Sequence, residues 1–370
     1  MSSAAGVRAG TADPPEHPTR PTSASYRAGV GLDVSAFIAA LPKVELHLHL
    51  VGSASPDIVL ELARRHPDGG VPTDLDQLTR FYTFRDFPHF LDIYRLVALL
   101  VRTPDDIVTL LVGLARDAAA SNVRYAEVSV TAAAHFYVGM TAAEVGEALG
   151  RGRERARQEF GVTLNWIFDI PGPISGWAEQ TTDFTLNQRP EGTVALGLAG
   201  PELNSPRSSY RSYFEEARAA GLHSVVHAGE TTGPDEVWAA IRDLGAERIG
   251  HGVGAADDPK LLDYLRDNDI PLEVCPTSNL CTRAVTDIEA HPLPVLLRHG
   301  VPVTLSTDDP GMFGTNLNHE YELVADTFGL TATDLAELAR TGIRAAYCDE
   351  TTRMELLTLL DEISRLHGVN

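Results

Sequence analysis

Pro42-Lys43-Val44-Glu45-Leu46-His47-Leu48-His49-Leu50 carries two histidines at the end of an apolar, β-branched run. Such a run reads as a β-strand. Residues two apart on a strand share a face, so His47 and His49 project together and are placed to grip one ion. Three later stretches repeat the design: Val226-His227-Ala228-Gly229-Glu230, Gly250-His251-Gly252 and Ser306-Thr307-Asp308-Asp309-Pro310. Each follows an apolar, β-branched run, so each imidazole or carboxylate falls at the C-terminal end of a predicted strand. Three imidazoles with a carboxylate suit zinc, and a site with room left for water suits catalysis rather than a structural role.

Along the whole chain, eight apolar runs precede turn or site residues: Val44–Leu50, Val123–Val130, Leu164–Ile170, Val194–Ala199, Ser224–His227, Arg248–Gly250, Leu272–Cys275 and Val301–Ser306. Between most of them lie helical patterns, as in Asp105–Ala119, Ala142–Glu159 and the shorter Pro234–Leu244. Strand then helix, eight times over, predicts an α/β fold of the (β/α)8 TIM-barrel type, whose active site lies at the C-terminal mouth. The four motifs then follow strands one, five, six and eight. Pro56–Pro104 is too long for an ordinary crossover, and carries Phe81-Tyr82-Thr83-Phe84-Arg85-Asp86-Phe87 and a further helix through Leu100. It is expected to form a helical lid after strand one. Glu350–Asn370 reads as a closing helix.

The chain has 370 residues, 44% hydrophobic and 22% charged, as in a globular protein with a sizeable core. A net charge of −21 argues against nucleic acid and against an anionic membrane surface as partners. Cys275, Cys281 and Cys348 form no CxxC pair and no even framework, which predicts a reducing, cytoplasmic setting. Residues 1–30 are rich in Pro, Ser, Thr, Ala and Gly and read as a disordered tail, leaving 31–370 as one domain. Oligomeric state is not legible.

HxH after strand one, HAGE after strand five, GHG after strand six and TDDP after strand eight together closely resemble the adenosine deaminase family of metal-dependent amidohydrolases. The resemblance runs from about Leu41 to about Leu359. It implies that His47, His49, His227 and Asp308 hold one Zn2+ per chain, which lowers the pKa of a water. It implies Glu230, His251 and Asp308 as catalytic residues. Glu230 would protonate purine N1, and His251 would orient the attacking water and shuttle or stabilise its proton. Asp308 could accept the same proton while ligating the metal. Asp309 would meet N7 and the Gly200 backbone N–H would meet N3, giving a 6-oxopurine and ammonia from a small-molecule purine nucleoside. The zinc site of cytidine deaminases, HxE with PCxxC, is not found. Lysine occurs only at 43 and 260, so no strand-four lysine bridges two metals.

One departure bears on specificity. Adenosine-specific relatives usually read HLDG, where the Asp grips the ribose 5′-hydroxyl, and adenine-specific ones tend to Glu. Here the run is His49-Leu50-Val51-Gly52. Valine accepts no hydrogen bond, so the resemblance points to a 5′ group other than hydroxyl. Aminodeoxyfutalosine, an intermediate of the alternative menaquinone pathway with a keto-linked benzoate at its 5′ end, fits. The Phe81–Phe87 run would cover its ring, and Arg85, with His89 and Arg95 as alternatives, would pair with its carboxylate. The competing readings are deamination of adenosine or 2′-deoxyadenosine in purine salvage, and a non-catalytic nucleoside-binding barrel. Away from the motifs, Glu45 and Glu127 read as fold-stabilising, and His223, His291, His299 and His319 as structural.

Overall fold

The computed structural model describes residues 33–369; the expected tail, residues 1–30, lies outside them. Eight parallel strands stand in chain order: β1 (Lys43–His49), β2 (Val123–Val130), β3 (Thr163–Ile170), β4 (Thr193–Leu198), β5 (His223–Ala228), β6 (Arg248–His251), β7 (Leu272–Val274) and β8 (Val303–Leu305). Each coincides with a predicted strand to within three residues at either end. β8 returns to β1 through Asp308, whose N–H donates to the His47 carbonyl at 3.0 Å and whose carbonyl accepts from His49 N–H at 3.0 Å. These bonds close the (β/α)8 barrel just where the first and last motifs meet.

Packing explains the pattern. Strands covered by helices outside and by one another inside are buried on both faces, and β1, β5 and β6 are buried along nearly their whole length. Buried charges on β2, β6 and β7 pair with one another: Arg248 bridges Glu127 and Glu273 (2.7 Å to the latter) and stacks on the Tyr347 ring, 4.0 Å from its centroid. Glu45 accepts from the Thr307 N–H at 3.1 Å. Glu45 and Glu127 are therefore fold-stabilising, as their strand positions suggested.

The segment between β1 and β2 holds α1 (Pro56–Arg65), α2 (Leu75–Phe81), α3 (Phe87–Ala98) and α4 (Pro104–Ala120). α4 begins with a full capping box between Thr103 and Asp106. The predicted Ala142–Glu159 helix runs regularly to Arg155, then widens into a π turn over Ala156–Phe160 that Gly161 ends at φ +69°. Pro234–Leu244 is helical as predicted, and the closing helix spans Glu350–Leu366. Among the described residues no helix is long and apolar enough to cross a membrane.

Candidate active site

Strand ends bring the motif residues together at the barrel mouth. Donor atoms of His47, His49, His227 and Asp308 all lie within 4.8 Å of one another, and all four residues are buried. His49 Nε2 and His227 Nε2 face each other at 3.1 Å, and Asp308 Oδ1 lies 3.2 Å from His49 Nε2 and 3.4 Å from His47 Nε2. Outer contacts fix the rings. His47 Nδ1 donates to Glu273 at 2.8 Å and His227 Nδ1 to the Leu198 carbonyl at 2.9 Å, so each presents an Nε2 lone pair to the centre. Ser278 donates to Asp308 Oδ2 at 2.6 Å, leaving Oδ1 for the centre.

This donor set fits a cation. His47 Nε2 is buried with no hydrogen-bond partner among the described residues, an arrangement that costs free energy unless something electron-poor meets it. The local field agrees. Burial opposes charge on His47, yet Asp308 and Glu273 outweigh it and hold its pKa up at about 10. Positive charge is favoured at His47, where a proton stands in for a metal ion on the inward Nε2, and nitrogen and oxygen donors of this kind could hold such an ion.

Around the cluster stand the proton-handling groups. Glu230 is buried, and its Oε1 has no partner among the described residues. Burial, then Asp308 and Glu202, push its carboxyl up to about 8. His251 Nε2 lies 3.7 Å from Glu230 Oε2 and 3.9 Å from Asp308 Oδ2. Asp309 occupies the N-cap position before Pro310 but makes no side-chain cap bond, so its carboxyl is free to face the cavity. Gly52 makes room for it: a Cβ there would lie 1.5 Å from Asp309 Oδ1.

These residues floor a cavity of about 430 Å³, within the range of small-molecule sites. Gly200, Val51, Asp309, Glu230 and His251 all line it. Arg85 does not. It is exposed just before α3 and its backbone N–H donates to His89 Nδ1 at 3.2 Å. The aromatic run is corrected likewise. Phe84 packs edge-on against Phe90 and Phe313 at 5.4 and 5.8 Å between centroids, and of Phe81–Phe87 only Phe87 reaches the cavity. Its apolar wall comes instead from the body of α3, through Leu91 and Tyr94, and from Tyr137 and Trp177 opposite. Arg95, one helical turn beyond Leu91, lines the rim with its side chain 62% exposed.

Several contributors carried no motif. Glu202 accepts from the N–H groups of Gly229, Glu230 and Thr231 at 2.6, 2.9 and 2.8 Å, and from Thr232 Oγ1 at 2.6 Å, fixing the loop that presents Glu230. Asp169 closes β3 beside His49, held by Thr131 Oγ1 at 2.9 Å. His135 is a buried imidazole on the cavity wall, and burial drives its pKa down to about 4.

A parallel barrel with three imidazoles and a carboxylate clustered at its C-terminal mouth is the architecture of the amidohydrolase class. Residues 42–363 match the family model described as adenosine deaminase, and the chain belongs to that family. It is 50% identical over 332 residues to an aminodeoxyfutalosine deaminase of Streptomyces coelicolor, covering 89% of this chain and 86% of that one. It is 48% identical over 337 residues to one of Streptomyces avermitilis, covering 90% and 94%. A zinc-bound amidohydrolase crystal structure from Burkhoderia ambifaria superposes with a TM-score of 0.82 at 27% identity, over 92% of this chain and 97% of that one. The protein is a hydrolase acting on carbon–nitrogen bonds.

Proposed function

We propose that this chain hydrolytically deaminates the 6-aminopurine of aminodeoxyfutalosine, releasing ammonia. The observation that carries the substrate is Val51. It is buried in the cavity wall where adenosine-specific relatives place a carboxylate for the 5′-hydroxyl. The names of two relatives near half identity support the same reading. Beyond Val51 the wall is apolar, which suits an aryl 5′ arm, and Arg95 at the rim replaces Arg85 as the partner of its carboxylate.

Zinc, one ion held by His47, His49, His227 and Asp308, would supply a Lewis acid that makes water a nucleophile near neutral pH. The chain does the rest. Glu230 enters protonated and gives its proton to N1, which makes C6 electrophilic as the water oxygen bonds to it. His251 holds that oxygen on the correct face. Asp309 and the Gly200 N–H engage N7 and N3, so the ring can bind in one orientation only. As the water oxygen bonds to C6, the water gives one proton to Asp308, which passes it to the amino nitrogen. The C6–N bond then breaks, ammonia leaves, and the remaining hydroxyl proton returns to Glu230.

The test compares kcat/KM for aminodeoxyfutalosine and adenosine, following ammonia release from metal-loaded enzyme. A clear preference for the former is expected. A preference for adenosine would overturn the substrate and leave the reaction standing.

A further inference from the structure

A chain of buried hydrogen bonds starts at a donor whose direction is beyond doubt. The backbone N–H of Leu293 points at His291 Nδ1 at 3.0 Å. A backbone amide only donates, so His291 Nδ1 must accept. Burial drives the pKa of His291 down to about 4, so the ring is neutral and its one proton sits on Nε2. That Nε2–H meets Asn279 Oδ1 at 3.2 Å. With its oxygen so engaged, Asn279 turns its NH2 toward His251 Nδ1, also at 3.2 Å. His251 Nδ1 therefore accepts, and the proton of a neutral His251 ring is left on Nε2. That nitrogen is the one facing Glu230 and Asp308. All three side chains are buried, so water does not compete for these bonds.

We infer that His291 and Asn279 are positioning residues that set the tautomer of His251, so that its Nε2–H donates to the attacking oxygen. The part of this that concerns turnover rests on the deaminase reading above; the tautomer does not. His251 then acts as a donor that aims a lone pair of the oxygen at C6. The opposite tautomer would present a bare nitrogen and compete for the proton of the water. A similar inversion in a hydrolytic triad lowers kcat about 10⁴-fold with little change of geometry.

The test is Asn279→Asp, a near-isosteric change. A carboxylate still accepts from His291, but at His251 it can only accept, so it draws the proton onto Nδ1. Histidine-selective 15N NMR reads the two ring nitrogens, with His251 assigned by its loss in His251→Gln. In the unsubstituted protein a protonated Nε2 and a bare Nδ1 are expected. In Asn279→Asp the Nδ1 is protonated and kcat falls about 100-fold or more, with KM and metal content kept. His291→Phe loosens Asn279 and lowers kcat in part, and His291→Gln, which can still accept from Leu293 and donate to Asn279, restores it.

A protonated Nδ1 on His251 in the unsubstituted protein overturns the inference, as does normal kcat in Asn279→Asp with the tautomer inverted. Should that variant not fold, unchanged kcat in His291→Phe overturns it equally. Failure of the unsubstituted enzyme to deaminate any aminopurine would overturn the proposed function, while the NMR result would still decide the tautomer.

Discussion

Glu202 offers the sharpest test of how Glu230 is held, through Glu202→Gln. The carboxylate takes five donors: Gly229 N–H and Thr232 Oγ1 on Oε2, and Glu230 N–H, Thr231 N–H and Thr231 Oγ1 (3.3 Å) on Oε1. A glutamine keeps one oxygen and must turn an NH2 toward the donors of the other. It loses least by placing the amide against Thr232, whose hydroxyl can rotate to accept. Gly229 N–H is then left without an acceptor in a buried loop, at about 1–3 kcal/mol. The remaining bonds lose their charge assistance, so the whole loss is on the order of 3 kcal/mol. A protein of ordinary stability, about 5–15 kcal/mol, survives that. Catalysis suffers more, because a displacement of about 1 Å at Glu230 costs roughly 100-fold in rate. Urea unfolding and steady-state kcat on the same preparation measure both. Loss of stability with kcat within about twofold of the parent would refute the argument that Glu202 positions Glu230.

Three further outcomes are expected. Val51→Asp should raise activity on adenosine relative to aminodeoxyfutalosine by about tenfold or more, the worth of one charged hydrogen bond; an unmoved ratio removes Val51 as a determinant. Arg95→Met keeps the apolar stem and removes the charge. Because the group is exposed, only about a two- to fivefold loss in kcat/KM on the carboxylate-bearing substrate is expected, through KM, and an equal loss on adenosine would count against the pairing. Glu230 must be protonated to act as donor, so kcat/KM should fall as pH rises through about 8. Its folded pKa lies above the ordinary carboxyl value, so its contribution to stability is complete below that value and lost over the same rise. Glu230→Gln should keep the metal and lose both most of the turnover and the alkaline limb.

The eight strands were legible because burial on both faces leaves a simple signature, a short apolar run ending at a turn or a site residue. The metal-ligand candidates were legible for the same reason: His47 and His49 gain meaning from strand period, and His227 and Asp308 from their place after a strand. What supports them was not. Glu273, 226 residues from His47, and Asn279, 28 from His251, act through side-chain contacts that no local spacing encodes. Glu202 lies two residues after Gly200, yet its partners are backbone amides and threonine hydroxyls of a distant loop and leave no trace in sequence. His291 reads as structural because nothing near it in the chain suggests chemistry, and its relevance appears only through Asn279. The lid misled for a related reason. Phe81–Phe87 is aromatic because Phe84 fills a core contact with Phe90 and Phe313, whereas the cavity is faced by the turns of α3 that follow.

Backbone conformation shows why the two ends of the barrel and the candidate metal centre belong to one design. His251 and Asp308 are non-glycine residues at φ +59° and +66°, the left-handed region, and both stand where a strand gives way to the mouth. Such conformations cost about 1–3 kcal/mol each and persist where the surroundings hold them. At Asp308 the holding contacts are visible: its N–H and carbonyl both bond to β1, at His47 O and His49 N. Two such bonds contribute about 1 kcal/mol apiece, comparable with the strain they oppose. The residue that closes the barrel is thus also the carboxylate of the cluster, and it is bonded to the strand that carries two of the three imidazoles. Any ion drawn to those donors would tighten the β8–β1 seam, so closure of the barrel and occupancy of the centre are expected to be coupled.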